Sequence, residues 1–254
     1  MKIIAKSKIN LYLRVVGKRP DNYHEIETLF LPIDDPADEL EIEFIEDGKS
    51  NIRVTSDAAL PEDCDNLCGK AALAVFRKLG VSHSIRIFIR KRIPVTAGMG
   101  GGSSDAAAVI RAIQQKYGAL PDGGFAAALS CGADVPFFLN EVPAIGRGVG
   151  EILTPVSGLK LPKIKIIPMN FPVSAAWAYK HLKTENDTRS LDDLIAALRA
   201  GDFTAVSKLL RNDLANALWE KFPILQIEKE RLIAEGASAV QITGSGPTLF
   251  ALYF

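Results

Sequence analysis

Four glycines fall within the five residues Gly98–Gly102, inside the run Pro94-Val95-Thr96-Ala97-Gly98-Met99-Gly100-Gly101-Gly102-Ser103-Ser104-Asp105. Glycine enters backbone conformations barred to other residues, and it leaves no side chain between the backbone and an approaching group. Before this run, Ile85, Ile87 and Ile89 alternate as in a half-buried strand. After it, the spacing predicts a helix from Ser103 or Ser104 to Tyr117, with Gly118 following. A strand that turns through glycines into a helix start brings successive N–H groups together as an anion-binding nest. The helix end adds unpaired donors and partial positive charge. With the hydroxyls of Ser103 and Ser104, the segment suits a triphosphate. It is not a Walker A loop, which needs Gly-Lys-Ser/Thr, and the dinucleotide register from Gly98 puts Ser103 where the last glycine belongs. The structural alternative is a packing turn between strand and helix. This many glycines followed by two serines favour phosphate.

The rest of the chain narrows the class. Lys plus Arg total 30 and Asp plus Glu total 30, a formal net charge of zero. That balance argues against a nucleic-acid partner and against a basic membrane-surface protein. No run of 18 apolar residues occurs, so no transmembrane helix is expected. The first residues carry no signal-peptide pattern, and a cytoplasmic protein is expected. The cysteines Cys64, Cys68 and Cys131 are too few for a disulfide framework. No second Cys or His pair follows Cys64 and Cys68 at zinc spacing, and no metal site is expected from protein side chains.

The predicted elements interleave without a regular strand–helix rhythm, which reads as α+β. Ile9, Leu11, Leu13 and Val15 predict a half-buried strand, as do Leu40, Ile42 and Phe44, and then Ile52 and Val54. Leu67, Ala71, Ala74, Val75 and Leu79 form one helix face, closed by Gly80. A helix is expected over 125–130 and another from Ser190, with strands over 163–167, 239–243 and 248–253. The Gly- and Pro-rich stretch 143–162 reads as a crossing between two units, divided as 1–150 and 151–254.

A phosphoryl-transfer site must hold the donor phosphates, align a hydroxyl and handle its proton. Asp134 stands in the uncharged stretch Gly132–Phe138 and is a candidate base. Lys8, between apolar neighbours, is a candidate partner that would keep such a carboxylate ionised. Taken alone, Asp134 reads better as a helix or strand cap and Lys8 as a solvated strand edge.

The glycine run with Ser-Ser-Asp resembles the phosphate loop of the GHMP kinases, which phosphorylate small-molecule hydroxyls from ATP. Its triple glycine resembles one branch in particular, whose substrate is a cytidine-diphosphate-linked methylerythritol. Ser7-Lys8-Ile9-Asn10-Leu11-Tyr12-Leu13, Gly17-Lys18-Arg19-Pro20-Asp21-Asn22-Tyr23-His24, Gly132-Ala133-Asp134-Val135-Pro136 and Gly146-Arg147-Gly148-Val149-Gly150-Glu151 resemble that branch too. Asn22 stands where the branch has Gly, and Asn tolerates the left-handed turn.

The resemblance implies a two-lobed α+β fold, an ATP-binding N-terminal lobe and a ferredoxin-like C-terminal lobe. It implies ATP bound by Pro94 to Ser104 and by Asn66, with Mg²⁺ entering on the phosphates. Asn66 reads equally as a plain helix N-cap. It further implies Asp134 as base, Lys8 as the group that polarises the hydroxyl, and Asn10 beside it. His24 and Tyr23 would hold the cytosine, with Tyr179 as the second aromatic and Trp177 as its rival. Ser174, followed by Ala175 and Ala176, stands where the branch often carries a Thr contact. Gly244-Ser245-Gly246-Pro247 resembles a third motif that packs on the phosphate loop, and otherwise reads as a hairpin turn.

Overall fold

The computed structural model describes residues 1–183 and 188–254. Contacts group the chain into two compact units. One comprises Met1–Ser7, Pro32–Pro94 and Gly100–Glu141; the other comprises Lys8–Leu31, Val95–Met99 and Val142–Phe254. The sequence reads as two domains divided once, at residue 150, whereas these contact units are threaded. Two long strands, β1 (Lys2–Lys18) and β2 (His24–Ile45), contribute to both. The glycine-rich run passes from one unit to the other between Met99 and Gly100.

In the first unit, β3 (Ile52–Ser56) pairs parallel with β4 (Ser84–Arg90), which pairs antiparallel with residues 39–45 of β2. Val54, Ile85, Ile87, Ile89, Leu40 and Ile42 are buried from this sheet, the period-2 pattern of a one-sided strand. Helix α1 (Leu67–Leu79) packs beside α2 (Gly101–Tyr117), followed by α3 (Phe125–Cys131) and the short α4 (Phe137–Asn140). Gly80 ends α1 at φ 65°, the left-handed cap its position predicts. Helix α2 begins two residues before Ser103 and is buried from Ser104 to Ile110. Its alanines permit that enclosure.

In the second unit, the stretch 143–162 is not a plain crossing. It holds a hairpin of β5 (Ala144–Arg147) and β6 (Ile152–Pro155), with β5 paired to Thr28–Phe30 of β2. Its glycines serve the turn, Gly148 and Gly150 having φ 70° and 115°. Then follow β7 (Lys163–Ile167), α5 (Ala175–Lys180), α6 (Leu191–Ala200), α7 (Phe203–Leu209), β8 (Arg211–Asn212), α8 (Ala215–Lys221), α9 (Pro223–Ala234), β9 (Ala239–Ile242) and β10 (Leu249–Tyr253). Ser190 caps α6 by accepting from the Asp193 N–H, as its sequence predicts. β10 lies between β7 and β9, antiparallel to both. Leu218, Leu225, Leu232, Ile242 and Leu249 form the core here, and truncating one such leucine costs about 2–5 kcal/mol.

β1 departs from the half-buried strand expected of it. Every residue from Ser7 to Leu13 is buried, the polar Lys8 and Asn10 included. The polar positions are enclosed because they bond to one another, as described below. Among the described residues, no helix is long and apolar enough to cross a membrane.

Candidate active site

The candidate residues fall in both units. In the second, Lys8 is buried at 4% exposure, which rules out the solvated edge. A buried ammonium needs acceptors. Lys8 Nζ donates to Asn10 Oδ1 at 2.8 Å and to the Gly98 carbonyl at 3.0 Å, and it lies 5.5 Å from the centre of the Phe30 ring. The Lys8 N–H also donates to the Met99 carbonyl at 3.1 Å. The segment Val95–Met99 that leads into the glycine run is therefore tied to β1 through main chain and side chain. Asn10 donates from Nδ2 to Thr28 Oγ1 at 2.8 Å, and from its N–H to Thr243 Oγ1 at 3.0 Å.

Gly98 has φ 77°, and a Cβ there would stand 2.3 Å from the Thr243 carbonyl. Thr96, by contrast, takes φ 53° while β-branched, a strained backbone of about 1–3 kcal/mol. It is exposed, as is Val95, whereas Ala97 and Met99 are buried. Gly244-Ser245-Gly246-Pro247 is both a hairpin turn and a neighbour of this loop. Gly246 N–H donates to the Thr243 carbonyl at 2.9 Å, and a Cβ on Gly244 would meet the Gly98 carbonyl at 2.8 Å and Lys8 Nζ at 3.3 Å. Asn212, which sequence reasoning missed, donates from Nδ2 to the carbonyls of Ile242 and Gly244, each at 2.8 Å. It fixes the turn from β8, and no motif announces it.

The turn Arg19–Tyr23 closes through Asn22 at φ 68°, as that residue type permits. Arg19 clasps Asp21 there, and the Tyr23 N–H donates to Asp21 Oδ1 at 3.1 Å. Tyr23 is 63% exposed. His24 stacks on Tyr179 with ring centres 5.0 Å apart. Trp177 instead stacks on His181 at 4.4 Å and packs on Phe222. Ser174 caps α5, accepting from the Trp177 N–H at 3.0 Å, so its oxygen already has a structural use.

In the first unit, α2 starts at Gly101 after Gly100 at φ 72°, and no side chain caps it. The first N–H groups of a helix have no intrahelical partners, so this end is open to an anion. Gly101 is held close, since a Cβ there would lie 2.9 Å from Ile93 Cγ2. Gly102 is exposed and would meet only Leu67 Cδ1, at 3.6 Å. Ser103 is half-buried; Ser104 is fully buried, and its hydroxyl has no protein partner.

Asp105 is buried beside this helix start and pairs with Lys91 at 2.8 Å; Lys91 also pairs with Asp38. Burial pushes the Asp105 carboxyl up to about 7; Lys91 draws it down and Asp38 adds to the rise. Burial works against the charge on Lys91, yet Asp105 and Asp38 hold its ammonium above the ordinary range. Asn66 is the N-cap of α1, accepting from the Cys68 N–H and donating to the Pro61 carbonyl, both at 2.9 Å. Pro94 and Asp134 are half-buried, Asp134 in the turn between α3 and α4. Among the described residues, no group of three or more acidic, His or Cys side chains could hold a metal ion.

The GHMP kinases N terminal domain family matches residues 66–141, and the GHMP kinases C terminal family matches 194–254. A 4-diphosphocytidyl-2-C-methyl-D-erythritol kinase of Syntrophotalea carbinolica is 36% identical, covering 98% of this chain and 88% of its own. One of Alkaliphilus metalliredigens is 35% identical, covering 98% and 86%. A crystal structure of 4-(cytidine 5'-diphospho)-2C-methyl-D-erythritol kinase superposes with a TM-score of 0.84 at 35% identity, over 99% of this chain and 90% of that one. A homoserine kinase from Cytophaga hutchinsonii shares the fold, with a TM-score of 0.75 at 22% identity over 99% and 84%. At that identity and coverage, this chain is a kinase of α+β fold and belongs to the 4-diphosphocytidyl-2-C-methyl-D-erythritol kinases of the GHMP superfamily.

Proposed function

We propose that this kinase moves the γ-phosphoryl group of ATP to the 2-hydroxyl of 4-diphosphocytidyl-2-C-methyl-D-erythritol, a step of the non-mevalonate route to isoprenoid precursors. The substrate follows from the names of its relatives. The observation that carries the chemistry is Lys8, a buried ammonium held at 2.8 Å by Asn10 and at 3.0 Å by the Gly98 carbonyl of the phosphate loop. In this reading Lys8 polarises the accepting hydroxyl and Asn10 orients the same group. Asp134 takes the hydroxyl proton as the oxygen bonds to the γ-phosphorus and the bond to the bridging oxygen of ADP breaks.

Residues 94–104 hold the triphosphate, mostly through backbone N–H groups, with Asn66 beside the adenine. The uncapped start of α2 and the unpartnered hydroxyl of Ser104 support this. Both fit Mg²⁺ arriving on the phosphates rather than in a protein cage. Tyr23, His24 and Tyr179 form the cytosine subsite, and Ser174 is its candidate hydroxyl contact. Residues 1–150 form the ATP-binding domain in chain order and 151–254 the second domain. The unpaired cysteines suit a reducing cytoplasm.

One assay tests the reading. Purified protein with ATP and Mg²⁺ is offered the cytidyl substrate, mevalonate, homoserine and galactose. Preference for any of the last three sinks the substrate assignment. Asp134→Asn should cut kcat by roughly 10²- to 10⁴-fold with ATP binding nearly intact. Wild-type turnover in that variant removes Asp134 as the base.

A further inference from the structure

We propose that Thr28 is a positioning residue for phosphoryl transfer, acting through Asn10 on Lys8. The inference rests on the reading of Lys8 given above. An asparagine amide is almost the same shape either way round, so its orientation is set by what both of its ends meet. The ammonium has only donors and takes the oxygen, and Thr28 holds the NH₂ at the other end. Its hydroxyl has one proton, which it donates to the Tyr12 carbonyl at 2.6 Å. Only its lone pairs then face Asn10, and they accept from Nδ2 at 2.8 Å.

The amide oxygen is thereby turned to the other side, where it accepts from Lys8 Nζ at 2.8 Å. Turned over, the amide would set NH₂ against NH₃⁺, donor against donor. Thr243 adds to the same outcome, since its hydroxyl reaches Asn10 Oδ1 at 3.4 Å while accepting the Asn10 N–H at 3.0 Å. The relay is directional and dry, Thr28 being 0%, Asn10 1% and Lys8 4% exposed. Water therefore has no ready access to replace a missing partner, and an unmade bond there carries its full penalty.

The test is Thr28→Val, which keeps the shape and the methyl group and removes the acceptor. Asn10 Nδ2 then faces carbon, and neither orientation of the amide satisfies both ends. The expected result is a fall in kcat of roughly 10- to 100-fold, with KM for ATP within about two-fold of wild type. Thr28→Ser, which restores the hydroxyl, should recover most of that loss. A purely structural defect would instead lower the active fraction while leaving kcat per active site unchanged, or raise KM for ATP. If the valine variant fails to fold, Thr28→Ala carries the same comparison of kcat with KM.

Lys8→Met is run alongside to separate the two claims. If Lys8→Met keeps its turnover, the reading of Lys8 is wrong and the inference falls with it. If Lys8→Met loses turnover while folded Thr28→Val or Thr28→Ala keeps wild-type kcat, the reading stands and the role of Thr28 is refuted. In a Lys8→Met background, Thr28→Val should cost less in kcat than it does in the wild-type background, because only the part Asn10 carries by itself remains. A loss as large as in the wild-type background overturns the inference.

Discussion

Replacing Gly102 by alanine separates what the glycine loop does for the fold from what it does for ATP. Gly102 is the second residue of α2, exposed, and a Cβ there would meet only Leu67 Cδ1 at 3.6 Å. That is an ordinary van der Waals distance, so the protein itself gives no reason for a glycine. Alanine is favoured over glycine in helices by up to about 1 kcal/mol, and the first turn takes the lower part of that range. The protein without nucleotide should therefore gain about 0.5 kcal/mol, which for a chain of this size raises Tm by about 1–2 °C.

Binding should move the other way. If a phosphate oxygen approaches the backbone at Gly102, the added methyl stands in its path. Losing one hydrogen bond to a charged group costs about 1.5–3 kcal/mol, a factor of roughly 10 to 150 in affinity. Thermal melts with and without ATP read both effects on one sample, and KM for ATP gives the second independently. A variant with wild-type KM for ATP refutes the approach of phosphate at this residue. One that melts lower without ATP refutes the steric reading of the helix start.

Other positions give sharper structural contrasts. Gly98→Ala, at φ 77° with a Cβ 2.3 Å from the Thr243 carbonyl, should destabilise by about 2–4 kcal/mol in urea unfolding; an unchanged midpoint contradicts it. Asn66→Ala should cost about 1 kcal/mol through loss of the α1 cap. KM for ATP rising in step assigns it a second role at the adenine, and an unchanged KM leaves it a cap alone. Native Asp105 keeps its proton up to about pH 7, whereas the unfolded chain releases it near 3.8, so this residue makes stability fall as pH rises between those values. Asp105→Asn should flatten that fall. Relative to wild type the variant is favoured more at pH 8 than at pH 5, and equal differences at both pH values in urea unfolding would refute the shift.

Local signals were the legible part of this protein. Helix α1 could be bounded at both ends because Asn66 and Gly80 act on their own neighbours, and the strand–glycine–helix order around Gly98–Gly102 is written in adjacent residues. The hairpin within 143–162 was hidden because its glycines look the same whether they loosen a linker or tighten a turn. What decides is Phe30, whose ring leaves 2.6 Å for a Cβ on Gly146 from the neighbouring strand.

The alternation of Ile9, Leu11, Leu13 and Val15 misled for a related reason. Period 2 in hydrophobicity implies a wet face only if polar side chains must face water. Asn10 is buried because Thr28 and Thr243, 18 and 233 residues away, supply its partners, and Lys8 because Asn10 and the Gly98 carbonyl accept from it. A buried polar group is stable only as a member of a satisfied set, and the members of such a set carry no common spacing in the chain. The same holds for Asn212, which grips the Gly244 turn across 32 residues. The residues that touch ATP or substrate repeat as motifs because a fixed ligand imposes a pattern on them. Those that aim them answer only to the fold, and Thr28, an ordinary strand threonine by sequence, becomes visible only when the donor and acceptor at each end of the Asn10 amide are traced.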